Sequence, residues 1–183
     1  MPPPDLSRVV VVGTSCAGKT TFARRLAGIV GAAHVERDAL HWGPQWTPRP
    51  DFQRDVSAAV QQQHWVIDGN YSVVRDLVWR RCTTIVWLDY AFTRVFFRAL
   101  RRTAGRVITG ERLYAGDRET VRDALLYAET EQRWYEMKAV FFRGDFEGQA
   151  SGVGSEELYW LDPKRELDAF FHACHAWAVA QAL

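Results

Sequence analysis

The segment Gly13-Thr14-Ser15-Cys16-Ala17-Gly18-Lys19-Thr20 has the spacing G-x-x-x-x-G-K-[ST], which a chain needs to wrap its backbone around a phosphate. Glycine at the first and sixth positions lets the main chain come close. The N–H groups from Gly13 to Thr21 and the positive end of the following helix then face the anion. Lys19 is expected to bridge the β- and γ-oxygens of ATP. The Thr20 hydroxyl is expected to bind Mg2+, whose remaining waters a nearby carboxylate holds. Two glycines at this spacing with Lys and Thr arise by chance in well under about 1% of chains this long. A turn that needed glycine only for its shape would not require Lys19 and Thr20.

Three aspartates, Asp38, Asp68 and Asp89, each close a predicted strand, which puts all three at one edge of a parallel sheet. Ligands of open α/β sheets bind at that edge. Asp68 is the candidate for the magnesium shell, with Asp89 as the alternative. Their plain readings are a turn aspartate in Asp-Gly and the cap of the next helix. Asp38 bears on the acceptor, because phosphorylation of a hydroxyl needs a carboxylate to orient or deprotonate it. Trp42 or Trp46 is then expected to stack on that acceptor.

The elements that position these residues alternate strand and helix along the chain, which predicts an α/β fold. Arg8 to Val12 is a β-branched run of the kind found in a strand buried on both faces. Gly18 to Val30 is expected to be a helix, with Phe22, Leu26, Ile29 and Val30 at helical spacing. Ala33 to Arg37 is a predicted strand, followed by a loop over HWGPQWTPRP. A helix capped by Asp51 runs to about Gln63. Further strands are predicted at His64 to Ile67, Thr83 to Leu88 and Glu157 to Leu161. Further helices are predicted at Phe92 to Arg102, at Glu119 to Phe142, and from Pro163 to the end.

At 183 residues, 48% apolar and 25% charged, the chain suits one domain with a full core. Its net charge of +1 supplies no field for nucleic acid or an anionic membrane, so neither is an expected partner. Of the 23 basic residues only Lys19, Lys138 and Lys164 are lysine, and the other 20 are arginine, whose planar fork suits phosphate oxygens. Genomic base composition would produce the same bias. Cys16, Cys82 and Cys174 form no CxxC pair and, like the histidines, no metal spacing, so reduced thiols in a cytoplasmic protein are expected. The N-terminal apolar run is too short for a signal peptide or a membrane span.

The stretches GTSCAGKTT, ERDALHWGPQW, WVIDGNY, TTIVWLDY and LYAGDRE resemble the adenylate-kinase-like branch of P-loop kinases, closest to the topology-modulation (FlaR-like) kinases. The resemblance spans about residues 8 to 120. It implies a three-layer fold with a five-stranded parallel sheet in the order 2-3-1-4-5 and helices on both faces. It also implies an acceptor-binding segment at about 38–63 and a short lid at about 103–118. Within it Asp38, Trp42 and Trp46 face the acceptor, while Arg98, Arg101 and Arg102 lie at the lid hinge and stabilise the transferring phosphoryl group. Arg94, Arg98, Arg101 and Arg102 also share one helical face, which an ordinary solvated surface would explain equally.

The chain departs from adenylate kinases at Asp68-Gly69-Asn70-Tyr71, which replaces DGFPR. Arg75, the nearest arginine downstream and the candidate acceptor contact there, comes two positions late. AMP is therefore not the expected acceptor, and without a cysteine quartet the lid holds no zinc. Three function classes follow: a kinase of a nucleoside, nucleotide or other small hydroxyl compound, an ATP-dependent regulator without transfer, and a nucleic-acid 5′-hydroxyl kinase. A monomer or a homodimer fits each. The acceptor pocket favours the first.

Overall fold

The computed structural model describes residues 5–69, 71–109, 157–161 and 166–181. Its central strand is β1 (Arg8–Gly13), in which Val9, Val10, Val11 and Val12 are sealed from solvent. Side chains alternate along a strand. Val9 and Val11 therefore join one core with Phe22 and Leu26 of α1 (Lys19–Val30) and Phe170, Phe171 and Trp177 of α6 (Leu167–Gln181). Val10 and Val12 join a second core with Phe52 and Val56 of α3 (Phe52–Ala59) and Val74 and Val78 of α4 (Ser72–Trp79). Helices thus cover both faces, which is why the run has no polar position. Each valine contributes about 1.5–3 kcal/mol by leaving water.

The sheet is parallel. β2 (Ala33–Glu36) pairs with β3 (Trp65–Asp68), β3 with β1, and β1 with β4 (Thr84–Leu88), giving the order β2-β3-β1-β4. β5 (Glu157–Leu161) pairs in parallel with the outer side of β4. The helix after β1 lies on one face, and the helices after β2 and β3 lie on the other. Neighbouring strands whose helices leave to opposite faces open a crevice beyond their carboxyl ends. Here that crevice lies between β1 and β3, with Val11 opposite Asp68.

Several boundaries differ from the sequence expectation. β2 stops at Glu36, and Arg37–His41 forms a short helix, α2, so Asp38 sits in a helical first turn and not at a strand end. The stretch expected as loop after it contains a 3-10 turn at Pro44–Trp46 and an antiparallel bridge from Trp42 to Pro48. α3 ends at Ala59, short of Gln63. Asp51 occupies its N-cap position without a side-chain cap bond, because its carboxylate takes Arg54 at 2.7 Å instead. α5 runs over Phe92–Thr109, so residues 103–109 of the expected lid are helical. Lid residues 110–118, the helix expected over 119–142, and Pro163 with Lys164 lie outside the described residues, as does Asn70.

Candidate functional site

The loop from β1 into α1 is built on backbone that side chains resist. Gly13 has φ 148° and Gly18 has φ 84°, both in the region open mainly to glycine. A Cβ on Gly13 would lie 3.0 Å from the Leu88 carbonyl oxygen, so this position also needs the missing side chain for closeness to β4. Cys16 is the non-glycine residue of the loop with positive φ, at 59°. Gly18 brings no capping side chain to α1 and the first turn holds no acidic residue, which suits an anion at this helix start. Lys19 Nζ donates to the Thr14 carbonyl at 2.8 Å, which lays the ammonium back over the loop.

Beside the loop, Asp68 ends β3 and is 3% exposed. Burial pushes the Asp68 carboxyl above its ordinary range, and the Thr20 hydroxyl and the nearby His34 pull the other way. His34 Nε2 stands 3.9 Å from Asp68 Oδ2. From the first turn of α2, Arg37 donates Nε–H to the Asp68 carbonyl at 3.0 Å. Burial pushes its guanidinium down to about 10, against the pull of Asp68, Asp38 and Tyr71.

On the acceptor side, Tyr71 donates its hydroxyl to Asp38 Oδ1 at 2.7 Å. The Tyr71 ring lies 4.4 Å from the His41 ring and 5.3 Å from Phe52. His41 meets Trp42 edge-on at 4.5 Å, and Trp42 meets Trp46 at 5.8 Å, so one aromatic wall runs from Phe52 to Trp46. Burial pushes the His41 imidazole below its usual value, against Asp38. Gln45 and Trp46 hold positive φ of 58° and 54°, a costly conformation for residues with side chains. Arg75 sits 5.5 Å over the Trp79 ring, near enough to Arg37 to oppose its charge.

The expected site residues fall into groups. Thr20 lies near Asp68 at the β1–β3 crevice and Lys19 is held on the loop through Thr14, while Asp38 is joined to Tyr71 and Trp42 meets Trp46. Arg98 stacks over Tyr90 at 4.5 Å and, with Arg25 and Phe171, borders a cleft of about 340 Å3 beside Cys16, Ala17, Gly18 and Thr21. Arg102 borders a second cleft of about 450 Å3 with Arg98, Arg101 and Arg106. The sequence reading did not single out Arg37 or Tyr71 as site residues. Tyr71 carried a signal, the tyrosine of Asp-Gly-Asn-Tyr, whereas nothing local marks Arg37 as buried.

The residues present fit a magnesium nucleotide. The hard cation takes oxygen, and the Thr20 hydroxyl and Asp68 carboxylate are oxygen donors near one another. Among the described residues no cluster of three or more His, Cys, Asp or Glu side chains would hold a metal alone. Among the described residues no helix is long and apolar enough to cross a membrane.

No family model matches the sequence, and no curated protein matches it. Among solved structures the chain is similar to a gluconokinase from Sinorhizobium meliloti 1021, at 16% identity and a TM-score of 0.54, over 97% of this chain and 94% of that one. It also matches a sugar kinase from Janibacter sp. HTCC2649 at 16% identity and a TM-score of 0.46, over 93% and 92%. The likeness to the gluconokinase is one of fold, an α/β parallel sheet with helices on both faces.

Proposed function

We propose that this chain is a small-molecule kinase that moves the γ-phosphate of Mg-ATP to a hydroxyl of its acceptor. The observation that carries the reading is the G-x-x-x-x-G-K-T loop, built on positive-φ glycines between β1 and α1, beside the buried Asp68 carboxylate at the end of β3. β1 and β3 flank a crevice beyond their carboxyl ends, where such a reaction needs the Thr20 and Asp68 oxygens next to the phosphates. The fold shared with a protein named as a gluconokinase supports the same reading.

In this account the N–H groups of Gly13 to Thr21 cradle the phosphates, and Lys19 swings from the Thr14 carbonyl to the β- and γ-oxygens. Thr20 and Asp68 would hold the magnesium, Thr20 through its hydroxyl and Asp68 through its carboxylate. Magnesium, when bound, offsets the charge on the β- and γ-phosphates. Asp38 orients the acceptor hydroxyl and takes its proton, with Tyr71 holding its Oδ1. Trp42 and Trp46 offer the acceptor an aromatic face, and Arg75 is its candidate polar contact. Arg98 and Arg102 supply positive charge toward the transferring group.

The acceptor is a nucleoside, nucleotide or other small hydroxyl compound. We also propose membership of the topology-modulation kinase group, a cytoplasmic location, and a monomer or homodimer. The test is ADP formation with Mg-ATP, alone and with pooled nucleosides, nucleotides, sugars and 5′-hydroxyl oligonucleotides, with Lys19→Ala as blank. Stimulation by a small-molecule pool that vanishes in the blank is expected. Tight ATP binding with no stimulation by any pool would turn the reading toward a nucleotide-dependent regulator.

A further inference from the structure

Arg37 is fully buried, with no exposed surface. A guanidinium out of water is costly unless charge and hydrogen bonds answer it, and an apolar side chain of similar volume often serves stability as well or better. Here the answer is partial. Nε donates to the Asp68 carbonyl at 3.0 Å, while Nη1 and Nη2 make no hydrogen bond among the described residues. The nearby opposite charges are the carboxylates of Asp68 and Asp38. Packing alone does not call for an arginine at this position.

The backbone around it gives the reason. β2 pairs with β3 only as far as Glu36 opposite Asp68, because the chain then turns into α2. The next β3 carbonyl acceptor, that of Asp68, would be left without the N–H that a longer β2 would offer, and Arg37 Nε takes its place. On the other side of the turn, the Gly69 N–H donates to the Val11 carbonyl of β1 at 3.1 Å. Gly69, at φ 100°, leans against Arg37 so closely that a Cβ would touch the Arg37 Cβ and Nε at 3.5 Å. The Asp68–Gly69 turn is therefore clamped between α2 and β1.

We propose that Arg37 is a positioning residue: it clamps the Asp68–Gly69 turn so that the Asp68 carboxylate stays at the crevice beside Thr20, and its charge balances Asp68 and Asp38 across the nucleotide and acceptor sides. This rests on the P-loop reading above. Its consequence is that Arg37 tunes the magnesium dependence of nucleotide binding without touching the nucleotide, as outer partners of metal ligands do.

The test is calorimetric titration of the full chain with ATP, in magnesium and in EDTA, for wild type, Arg37→Met and Arg37→Lys, with the melting temperature of each. Arg37→Met should lose about tenfold or more of the affinity gained with magnesium, while its affinity in EDTA stays within about threefold of wild type. Arg37→Lys keeps the charge but not Nε, and should lose roughly threefold, the size of one net hydrogen bond. If Arg37→Met does not fold, Arg37→Lys decides. An undiminished magnesium-linked gain in a folded variant overturns the proposal alone, as does a loss confined to acceptor affinity. ATP binding that is absent in wild type, or unchanged by Lys19→Ala, overturns the kinase reading and this proposal with it.

Discussion

The Tyr71 hydroxyl and Asp38 Oδ1, 33 residues apart in sequence, are joined by a 2.7 Å hydrogen bond that links the turn after β3 to the first turn of α2. The bond fixes one carboxylate oxygen and so aims the other. Removing it frees the carboxylate to rotate. Tyr71→Phe is therefore expected to lower kcat about tenfold, the range of a hydrogen bond to a charged group, with KM for ATP unchanged. Asp38→Asn should lower kcat by about 100-fold or more. Steady-state kinetics at varied ATP check both, and a Tyr71→Phe variant with full kcat would remove the tyrosine from the account.

Burial raises the Asp68 pKa in the folded chain, so the folded state holds that proton more readily than the unfolded state does. The stability this carboxyl contributes is greatest in acid and is lost as pH rises from the ordinary value of 3.8 through the raised folded value. Asp68→Asn abolishes this titration. Its melting temperature, relative to wild type without nucleotide, should rise across that window and hold steady above it, while magnesium-linked ATP affinity falls. Thermal melts from about pH 4 to neutrality decide, and a pH-independent difference would contradict the assignment.

Gly13→Ala places a Cβ 3.0 Å from the Leu88 carbonyl at a φ of 148°, so the loop must shift away from β4. A loss of about 1–3 kcal/mol is expected. Gly28 in α1 has open space around its Cβ position, and Gly28→Ala should be neutral or stabilising by up to about 1 kcal/mol. Denaturant melts of the two variants, read side by side, check the contrast.

How much of this was legible follows from where each feature is decided. The loop at Gly13 to Thr20 and the strand Val9 to Val12 were readable because local spacing and a continuous apolar run determine them. Arg37 was read as the last residue of a strand. Its burial and the start of α2 depend on Asp68 and Gly69, more than thirty residues away, which no local pattern reports. Thr103 to Thr109 looked non-helical because of Gly105 and a lack of apolar residues, yet one glycine costs a helix only about 1 kcal/mol and α5 continues through it. The sequence reading turned Trp42 and Trp46 toward an acceptor, but that the two rings meet each other and link through His41 to Tyr71 needed the folded chain.

Among the cysteines, Cys82 and Cys174 are buried and Cys16 is partly exposed in the loop. Burial pushes the Cys174 thiol up to about 12, so it stays protonated and inert near neutrality. Iodoacetamide should label Cys16 first, and Mg-ATP should slow that labelling. Mass mapping checks both, and equal labelling with and without nucleotide would put the nucleotide elsewhere.

The central claim is transfer, and the most direct measurement follows the γ-phosphate itself. Labelled ATP is given to the full chain with magnesium and the stimulating pool, and the label is traced. The account predicts label on a small hydroxyl compound with wild type and none with Lys19→Ala. Label that stays on ATP, or leaves only as inorganic phosphate with every pool, would contradict it.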